Sequence, residues 1–217
     1  GGVRRGKKAG IKPVRRTGDH RETACGVARR LGIADSAAQV VTGEQLERMS
    51  GAELRKTVER CRVYARVSPK HKSMIVEALQ SKGNVVAMTG DGINDAPSIK
   101  KADIGIAMGV SGTDVTKNAS DMIISDDNFA TIVLAVGEGR RIFSNIKKTI
   151  AFFLATNLAE VLSIFIVSVL FCRFDFLLSA QLLWLNLVTD SFPVLALGME
   201  RAEPDIMERK PKRAEKA

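Results

Sequence analysis

The chain has 217 residues, a net charge of +9 and a hydrophobic share of 45%. A single Trp and a single Tyr are too few for the aromatic and basic surface that stacks nucleic-acid bases, so we predict no nucleic-acid partner. The hydrophobic residues are concentrated after residue 148. This uneven distribution predicts a soluble first part and a second part that lies in a lipid bilayer.

Strands and helices alternate in the first 127 residues, which indicates a parallel α/β sheet. Residues 12–19 are predicted to be the end of a strand that runs into a loop. Further strands are predicted at 61–68, within 84–95, where the strand leads into a glycine-rich turn, at 102–109 and at 120–127. The predicted helices are 20–33, one or two short ones within 43–61, and an amphipathic one that Pro69 opens and Gly83 stops.

Two short features of this half offer groups to a phosphate. Thr17-Gly18-Asp19 is a turn at a strand end, where a hydroxyl and backbone N–H groups are available. Lys72 lies at the start of its helix and would supply a positive charge to the same phosphoryl group. Each has a simpler interpretation when taken alone, because strand-end turns and exposed helical lysines are common.

The string "TGDGINDAPS" (89–98) follows an apolar strand. Gly90 and Gly92 permit the backbone angles of a tight turn that carries Asp91, Asn94 and Asp95. Carboxylate and amide oxygens hold Mg²⁺, and Mg²⁺ beside a phosphoryl group neutralises charge during its transfer. The string therefore predicts a magnesium-dependent phosphoryl site, with a purely structural turn as the alternative.

The sequence has no proline from Asn128 to Phe171. One helix of that length would extend roughly 66 Å at about 1.5 Å per residue. We predict a stalk at 128–148 and then a membrane span at 149–172, because about 20 apolar residues cross a bilayer. A break at 173–175 precedes a second apolar stretch at 176–199. The alternative is a pair of buried helices in a large soluble protein.

Basic residues are distributed unevenly around the two spans. Only Arg173 lies between them, whereas basic side chains precede the first span (Arg140, Arg141, Lys147, Lys148) and follow the second (Arg201, Arg209, Lys210, Lys212, Arg213, Lys216). The positive-inside rule then predicts a hairpin with both ends in the cytosol.

Both spans carry polar residues at helical spacing. Asn157 and Glu160 share one helix face, and so do Asn186, Thr189 and Asp190. Ionisable groups at membrane depth are costly and persist mainly where they line an ion path or a bundle interior. Oxygen donors without Cys or His suit Ca²⁺ rather than Zn²⁺ or Cu⁺. The alternative is a set of hydrogen bonds that only holds the helices together.

A proline in the second span supports the ion-path interpretation. Pro193 cannot donate to the carbonyl of Thr189, so a backbone oxygen beside Asp190 is expected to be free. Helices broken in this way at membrane depth are typical of ion sites in transporters.

Together these residues resemble a known family. The strings "TGDH", "ARVSPKHKSMIVEALQ", "AMTGDGINDAP" and "ADIGIAMG" resemble the phosphorylation domain of P-type ATPases, which has the haloacid-dehalogenase fold. "ATNLAEV" and "QLLWLNLVTDSFPVLALGME" look like the fifth and sixth membrane helices of these pumps, and "PDIMERKPKR" like the loop that follows. The resemblance covers roughly residues 9–213.

The resemblance implies an α/β fold class: a partial haloacid-dehalogenase-like (Rossmannoid) parallel sheet domain at 1–127, a stalk helix at 128–148, a transmembrane hairpin at 149–199 and a cytosolic basic tail at 200–217. It implies Mg²⁺ as a cofactor and ATP that is bound mainly by a domain outside this chain. It also implies that Asp91 and Asp95 are the carboxylates of the Mg²⁺ and phosphoryl site, with Asn94 as their companion, and that Lys72 contacts the phosphoryl group. Roles in phosphoryl and nucleotide binding are likewise implied for Thr17, Gly18, Asp19 and Arg66.

The membrane residues distinguish the kinds of pump. By resemblance, Asn157, Glu160, Asn186, Thr189 and Asp190 match the calcium ligands of pumps of the sarcoplasmic or endoplasmic-reticulum type. Plasma-membrane calcium pumps lack the acid at the Glu160 position, and heavy-metal pumps show a membrane Cys-Pro-Cys that is absent here. Sodium/potassium pumps have an acid where this chain has Asn186, and a sodium-type pump is the alternative.

The chain also departs from the family pattern. It has no D-K-T-G-T string, whose Asp the family phosphorylates, and it lacks the actuator domain, the nucleotide-binding domain and the first four membrane helices. We therefore expect a fragment of a pump that does not hydrolyse ATP alone and whose partners are the bilayer, the cation and the missing domains. Two rival interpretations are a soluble Mg²⁺-dependent phosphatase and a non-catalytic membrane module.

Arg15 and Arg16 stand where the family has apolar strand residues. Two buried guanidinium groups in a central strand would be very costly. We therefore expect either a frayed strand or a sequence that has drifted at this point.

Overall fold

The computed structural model describes residues 2–170 and 178–211, which form two compact units. The first unit comprises Gly1–Leu134 and Met207–Ala217, and the second comprises Ala135–Ile206. The predicted limits at residues 127, 148 and 199 stay predictions, because the units follow packing and not position relative to a bilayer. The predicted break at 173–175, the start of the second apolar stretch and the basic residues after 211 lie outside the described residues.

In its described residues, the first unit contains two parallel sheets of three strands each. In one sheet the order is β1-β3-β2, formed by Arg15–Thr17, Val63–Ala65 and Val40–Thr42. In the other the order is β4-β5-β6, formed by Ala87–Gly90, Ile104–Met108 and Met122–Ile124. The parallel α/β prediction is confirmed. Among the described residues, β1 and β4 are each paired on one side only.

Seven helices of the first unit lie between these strands or before them: α1 Gly2–Lys8, α2 Arg21–Arg30, α3 Gly43–Arg48, α4 Gly51–Arg60, α5 Pro69–Gln80, α6 Ala96–Lys101 and α7 Asp114–Ala119. Their starts follow local capping chemistry. Thr42, Ser50 and Ser68 each accept a bond from a backbone N–H three residues on, and that third residue bonds back to the cap.

The core of the first unit lies around the middle strand of the first sheet. All three residues of β3 are fully buried, and Tyr64 packs with Leu46, Val58 and Ile75 from α3, α4 and α5. A second cluster joins α5, β4 and α6 through Val76, Met88 and Ile99. Helix α5 therefore contacts both cores, and this places its first turn near the turn after β4.

The expectation of a frayed strand at Arg15 and Arg16 is wrong. These residues pair in register with Val63 and Tyr64 of β3. The reason is that β1 is an edge strand in its sheet and not a central one. Charged side chains are common on edge strands, where they discourage pairing with other chains.

A loop after β5 is held to the segment that precedes α8 (Phe129–Leu170). Asp127 accepts bonds from Val110 N at 3.1 Å, from Ser111 N at 2.7 Å and from the Ser111 hydroxyl at 2.7 Å. Asp127 itself has a φ of 49°, a left-handed conformation that costs energy for a residue with a side chain. The three bonds hold it there.

Helix α8 is continuous from Phe129 to Leu170, including Gly137 and Gly139, as the sequence predicts. The second apolar helix consists of α9 (Ser179–Leu185), a π-helical turn (Asn186–Asp190) and α10 (Ser191–Gly198). Phe129–Leu170 and Ser179–Gly198 are both long and apolar enough to cross a membrane.

Contacts within the second unit show that its two apolar helices are antiparallel. The Asn145 amide donates to Gly198 O at 3.2 Å and to Glu200 O at 3.0 Å. Farther along α8, Glu160 lies beside Asn186. As the residue number along α8 rises from 145 to 160, the number of the contacted residue falls from 198–200 to 186, which is the pairing expected of a hairpin.

Two glycines test the packing of the first unit. A Cβ on Gly105, in β5, would lie 2.7 Å from the Ile99 side chain and 2.8 Å from Ile99 O, whereas a Cβ on Gly26, in α2, would meet nothing within 4 Å. We expect Gly105→Ala to lower the free energy of unfolding by roughly 1–3 kcal/mol. The matched change Gly26→Ala should raise it by about 0.5–1 kcal/mol. Urea unfolding in mild detergent, followed by hydrogen exchange of each unit, measures both, and equal effects would contradict this packing.

The bonds to Asp127 predict a pH dependence. The Ser111 hydroxyl and then the Val110 and Ser111 amides lower the pKa of Asp127 from 3.8 to about 2. Because the folded pKa lies below the unfolded one, the stabilisation is complete above the unfolded value and is lost as the pH falls toward 2. Carboxyl NMR titration, assigned with Asp127→Asn, should give a midpoint near 2, and a midpoint at the unperturbed value would show that these bonds are not made in solution.

Candidate functional sites

The predicted phosphoryl site is built around Asp95. β4 ends at Gly90, a 3-10 turn follows at Ile93–Asp95, and α6 begins at the next residue. A Cβ on Gly90 would lie 2.5 Å from the Asp95 Cβ, so only glycine allows this close approach. Asp95 is buried, and its Oδ1 accepts a charge-assisted bond from Lys72 Nζ at 2.5 Å. The structure therefore brings two of the predicted residues into contact.

A second cation lies beside Asp95. One guanidinium nitrogen of Arg16 is 4.0 Å from Asp95 Oδ1, and another donates to Thr89 O of β4 at 2.9 Å. Burial lowers the pKa of Arg16, and the charge of Asp95 opposes that effect. The sequence pattern did not indicate Arg16 as a site residue. Its one signal was the presence of arginine at a position expected to be apolar.

Asp91 and Asn94, by contrast, are exposed. The Asp91 carbonyl accepts bonds from Thr113 N at 3.0 Å and from the Thr116 hydroxyl at 3.4 Å, which hold the turn by its backbone and leave the carboxylate available. No group of three or more His, Cys, Asp or Glu lies together within 2–170 and 178–211. One available carboxylate, an amide and a neighbouring carboxylate fit Mg²⁺, which keeps several waters and needs only one or two protein carboxylates.

The Thr17-Gly18-Asp19 turn is closed by its own side chains. The Thr17 hydroxyl donates to Asp19 Oδ2 at 2.7 Å and accepts from Asp19 N at 3.2 Å. Arg66, which has a φ of 52°, reaches the next residue, with its guanidinium 2.8 Å from His20 Nε2. Thr17 directly follows Arg16, so this turn lies at the same end of β1 as the Asp95 contact.

The predicted membrane ligands are only partly brought together. Asn186 Nδ2 lies 3.4 Å from Glu160 Oε1, across the two apolar helices. Asp190 is buried, whereas Thr189 is exposed. The amide of Asn157 instead donates to Phe153 O in its own helix at 2.8 Å. The π-helical turn at Asn186–Asp190 puts the irregular backbone at the residues that Pro193 had indicated.

Two family models match the chain. The model of the haloacid dehalogenase-like hydrolases matches residues 3–103, and the model described as "Cation transporting ATPase, C-terminus" matches residues 174–217. A solved structure of the catalytic domain of a CPx-ATPase is 27% identical and covers 62% of this chain and 42% of its own, with a TM-score of 0.46.

Similar curated proteins match almost the whole chain. "Calcium-transporting ATPase 1" of Bacillus cereus is 48% identical over 97% of this chain and 24% of that protein. "Calcium-transporting ATPase lmo0841" of Listeria monocytogenes is 52% identical over the same shares, 97% and 24%. "Calcium-transporting ATPase 3, endoplasmic reticulum-type" of Arabidopsis thaliana is 46% identical over 96% and 21%. The chain thus spans about a quarter of the length of the relatives it matches.

The two cations beside Asp95 lead to contrasting expectations. Lys72→Met removes the close partner of a buried carboxylate, so the free energy of unfolding should fall by roughly 2–4 kcal/mol. Arg16→Met removes a desolvated charge that is 4.0 Å from Asp95, so the change should be smaller than about 1 kcal/mol. Urea unfolding compares the two variants. A larger loss for Arg16→Met would show that Arg16 is the main partner of Asp95.

Proposed function

The chain belongs to the P-type cation-transporting ATPases, and on that premise we propose that it acts within a longer pump that moves Ca²⁺ across a membrane. The chain would supply the second part of the phosphorylation domain, the stalk and one membrane hairpin. The phosphorylated Asp and most of the ATP site would come from parts of the pump outside this chain, which has no D-K-T-G-T string. The remaining domains and the bilayer would be its partners.

In the proposed phosphoryl site, Asp91 and Asn94 would hold Mg²⁺ beside the Asp95 carboxylate, and Mg²⁺ would supply charge neutralisation at the phosphoryl group. Asp95 orients Lys72 toward the same group, and the contact at 2.5 Å supports this role. Thr17, Gly18 and Asp19 would contact phosphoryl oxygens through the hydroxyl and N–H groups of their turn. Arg66 would take part in nucleotide binding beside that turn.

The observation that carries the calcium assignment is the contact of Glu160 with Asn186 across the hairpin. It joins the two polar stripes at the π-helical turn, where irregular backbone offers further oxygens. Asn157, Thr189 and Asp190 would complete the protein ligands from this chain. Carboxylate, amide and hydroxyl oxygens suit Ca²⁺, and the calcium-transporting ATPases that match support the same ion.

We propose that both ends of the hairpin are cytosolic, because the basic residues lie outside the spans. We also propose that α8 transmits motion from the phosphorylation domain to Glu160. Its continuity over Phe129–Leu170 supports this, because a helix without a break moves as a stiff rod.

A chimera tests the proposed function. The corresponding quarter of the Listeria monocytogenes calcium-transporting ATPase is replaced by this chain, and ATP-driven uptake of radioactive calcium is measured in inverted vesicles. We expect uptake by the chimera and a loss of at least about tenfold with Glu160→Gln, because the charge count of the ligands sets calcium affinity. Ser163→Ala is the matched control, because the Ser163 hydroxyl donates to Ala159 O within its own helix.

The same chimera separates the competing functions. Sodium transport in place of calcium transport would favour a sodium-type pump. Calcium uptake that survives Glu160→Gln would exclude Glu160 as a ligand. Phosphoenzyme formation that survives Asp91→Asn in millimolar Mg²⁺ would exclude Asp91 from the magnesium site.

A further inference from the structure

The loop between β5 and α7 is hydrogen-bonded to two other parts of the first unit, the Asp91 turn and the segment before α8. At its start, Gly109 N donates to Ile124 O at 2.7 Å and so extends the pairing of β5 with β6. At its end, Thr113 N and the Thr116 hydroxyl bond the carbonyl of Asp91. The Gly109–Gly112 loop is therefore attached to the turn that carries Asp91.

The middle of the Gly109–Gly112 loop is attached elsewhere. Val110 and Ser111 donate three bonds to the carboxylate of Asp127, two residues before α8. Asn128 and Asp126 then fix the first turn of α8, because the Asn128 side chain accepts from Ala130 N at 2.9 Å and Asp126 accepts from the Thr131 hydroxyl at 2.6 Å. Hydrogen bonds, joined by the covalent backbone at 111–113 and 127–128, thus connect the Asp91 carbonyl to the start of α8.

We propose that Asp127 is a positioning residue: its carboxylate ties the start of α8 to the Gly109–Gly112 loop, so that a change at the Asp91 turn reaches α8 through that loop. The inference deepens the proposed function, because it names the residue that links the magnesium turn to the helix. The left-handed backbone of Asp127 agrees with this role, because strained conformations persist where surrounding bonds determine them.

A second route to the start of α8 competes with this one. Ile132 packs with Ile106 of β5 and Ile124 of β6, so apolar contact alone also joins α8 to the sheet. Packing of this kind holds the helix in place but has no bond to the Asp91 turn. The two routes differ in which substitution uncouples that turn from the helix.

A double-mutant cycle on the full chain in detergent distinguishes the routes. Thr116→Val removes the hydroxyl that bonds Asp91 O and keeps the side-chain shape. Asp127→Gly removes the carboxylate and permits the same left-handed backbone. Hydrogen exchange of the amides at 129–133 is the readout. We expect Thr116→Val to speed this exchange by about three- to tenfold in the parent chain and to have no further effect when combined with Asp127→Gly.

The matched control is Asp121→Ala. The Asp121 carboxylate accepts a bond from Gly105 N of β5 at 2.7 Å, so it also binds a backbone amide, but it lies outside the proposed link. The effect of Thr116→Val should persist when it is combined with Asp121→Ala. If Thr116→Val and Asp127→Gly had additive effects on the hydrogen exchange at 129–133, the proposal would be overturned. It would also be overturned if Ile132→Ala, and not Asp127→Gly, removed the effect of Thr116→Val on that exchange.

Adding millimolar Mg²⁺ separates this inference from the proposed function. Calorimetry shows whether the parent chain binds Mg²⁺, and Asp127→Gly should leave that binding unchanged while the exchange response at 129–133 is lost. If Mg²⁺ does not bind, the magnesium site is wrong, and the metal-free cycle alone decides the role of Asp127. If Mg²⁺ changed the hydrogen exchange at 129–133 as much in Asp127→Gly as in the parent chain, Asp127 would not connect the Asp91 turn to α8.

Discussion

The buried carboxylate of Asp95 constrains the first unit more than any other group described. A carboxylate removed from water is stable only when a cation or several donors compensate for the lost hydration. Lys72, in the first part of α5, supplies that compensation, because its Nζ lies 2.5 Å from Asp95 Oδ1. Arg16 adds a second positive charge from β1. One carboxylate therefore fixes the relative positions of α5, β1 and the turn after β4. Because Asp95 is engaged in this way, the exposed Asp91 and Asn94 are the groups of this turn most available to a ligand.

The sequence predicted the long elements well, because hydrophobic periodicity is clear over ten or more residues. Helix α5 and the uninterrupted α8 lie where the spacing places them. Short elements were missed, such as α1 and β2, because three to seven residues are too few to establish a period. The assignment of Arg16 failed for a different reason. Whether a strand is central or at an edge depends on pairing across the whole sheet, which a local pattern does not contain.

The membrane residues show the same limit at the level of side chains. Helical spacing correctly put Glu160 and Asn186 on stripes that meet, because a face is determined by the number of residues per turn. The same spacing put Asn157 on the face of Glu160. Its amide nonetheless bonds Phe153 O one turn back, because an amide side chain in a helix can always reach that carbonyl. Backbone geometry is predictable here, and the choice among competing hydrogen-bond partners is not.

Four strands are paired on one side only within the described residues, which has a consequence for handling the protein. The strands β1, β2, β4 and β6 each leave backbone donors and acceptors along one edge, and such edges attract strands from neighbouring molecules. The Arg16 side chain of β1 donates to Thr89 O of β4 and so occupies part of the β4 edge, whereas β2 (Val40–Thr42) and β6 (Met122–Ile124) have no charged side chain. Self-association during expression and purification should therefore begin at β2 or β6 rather than at β1 or β4.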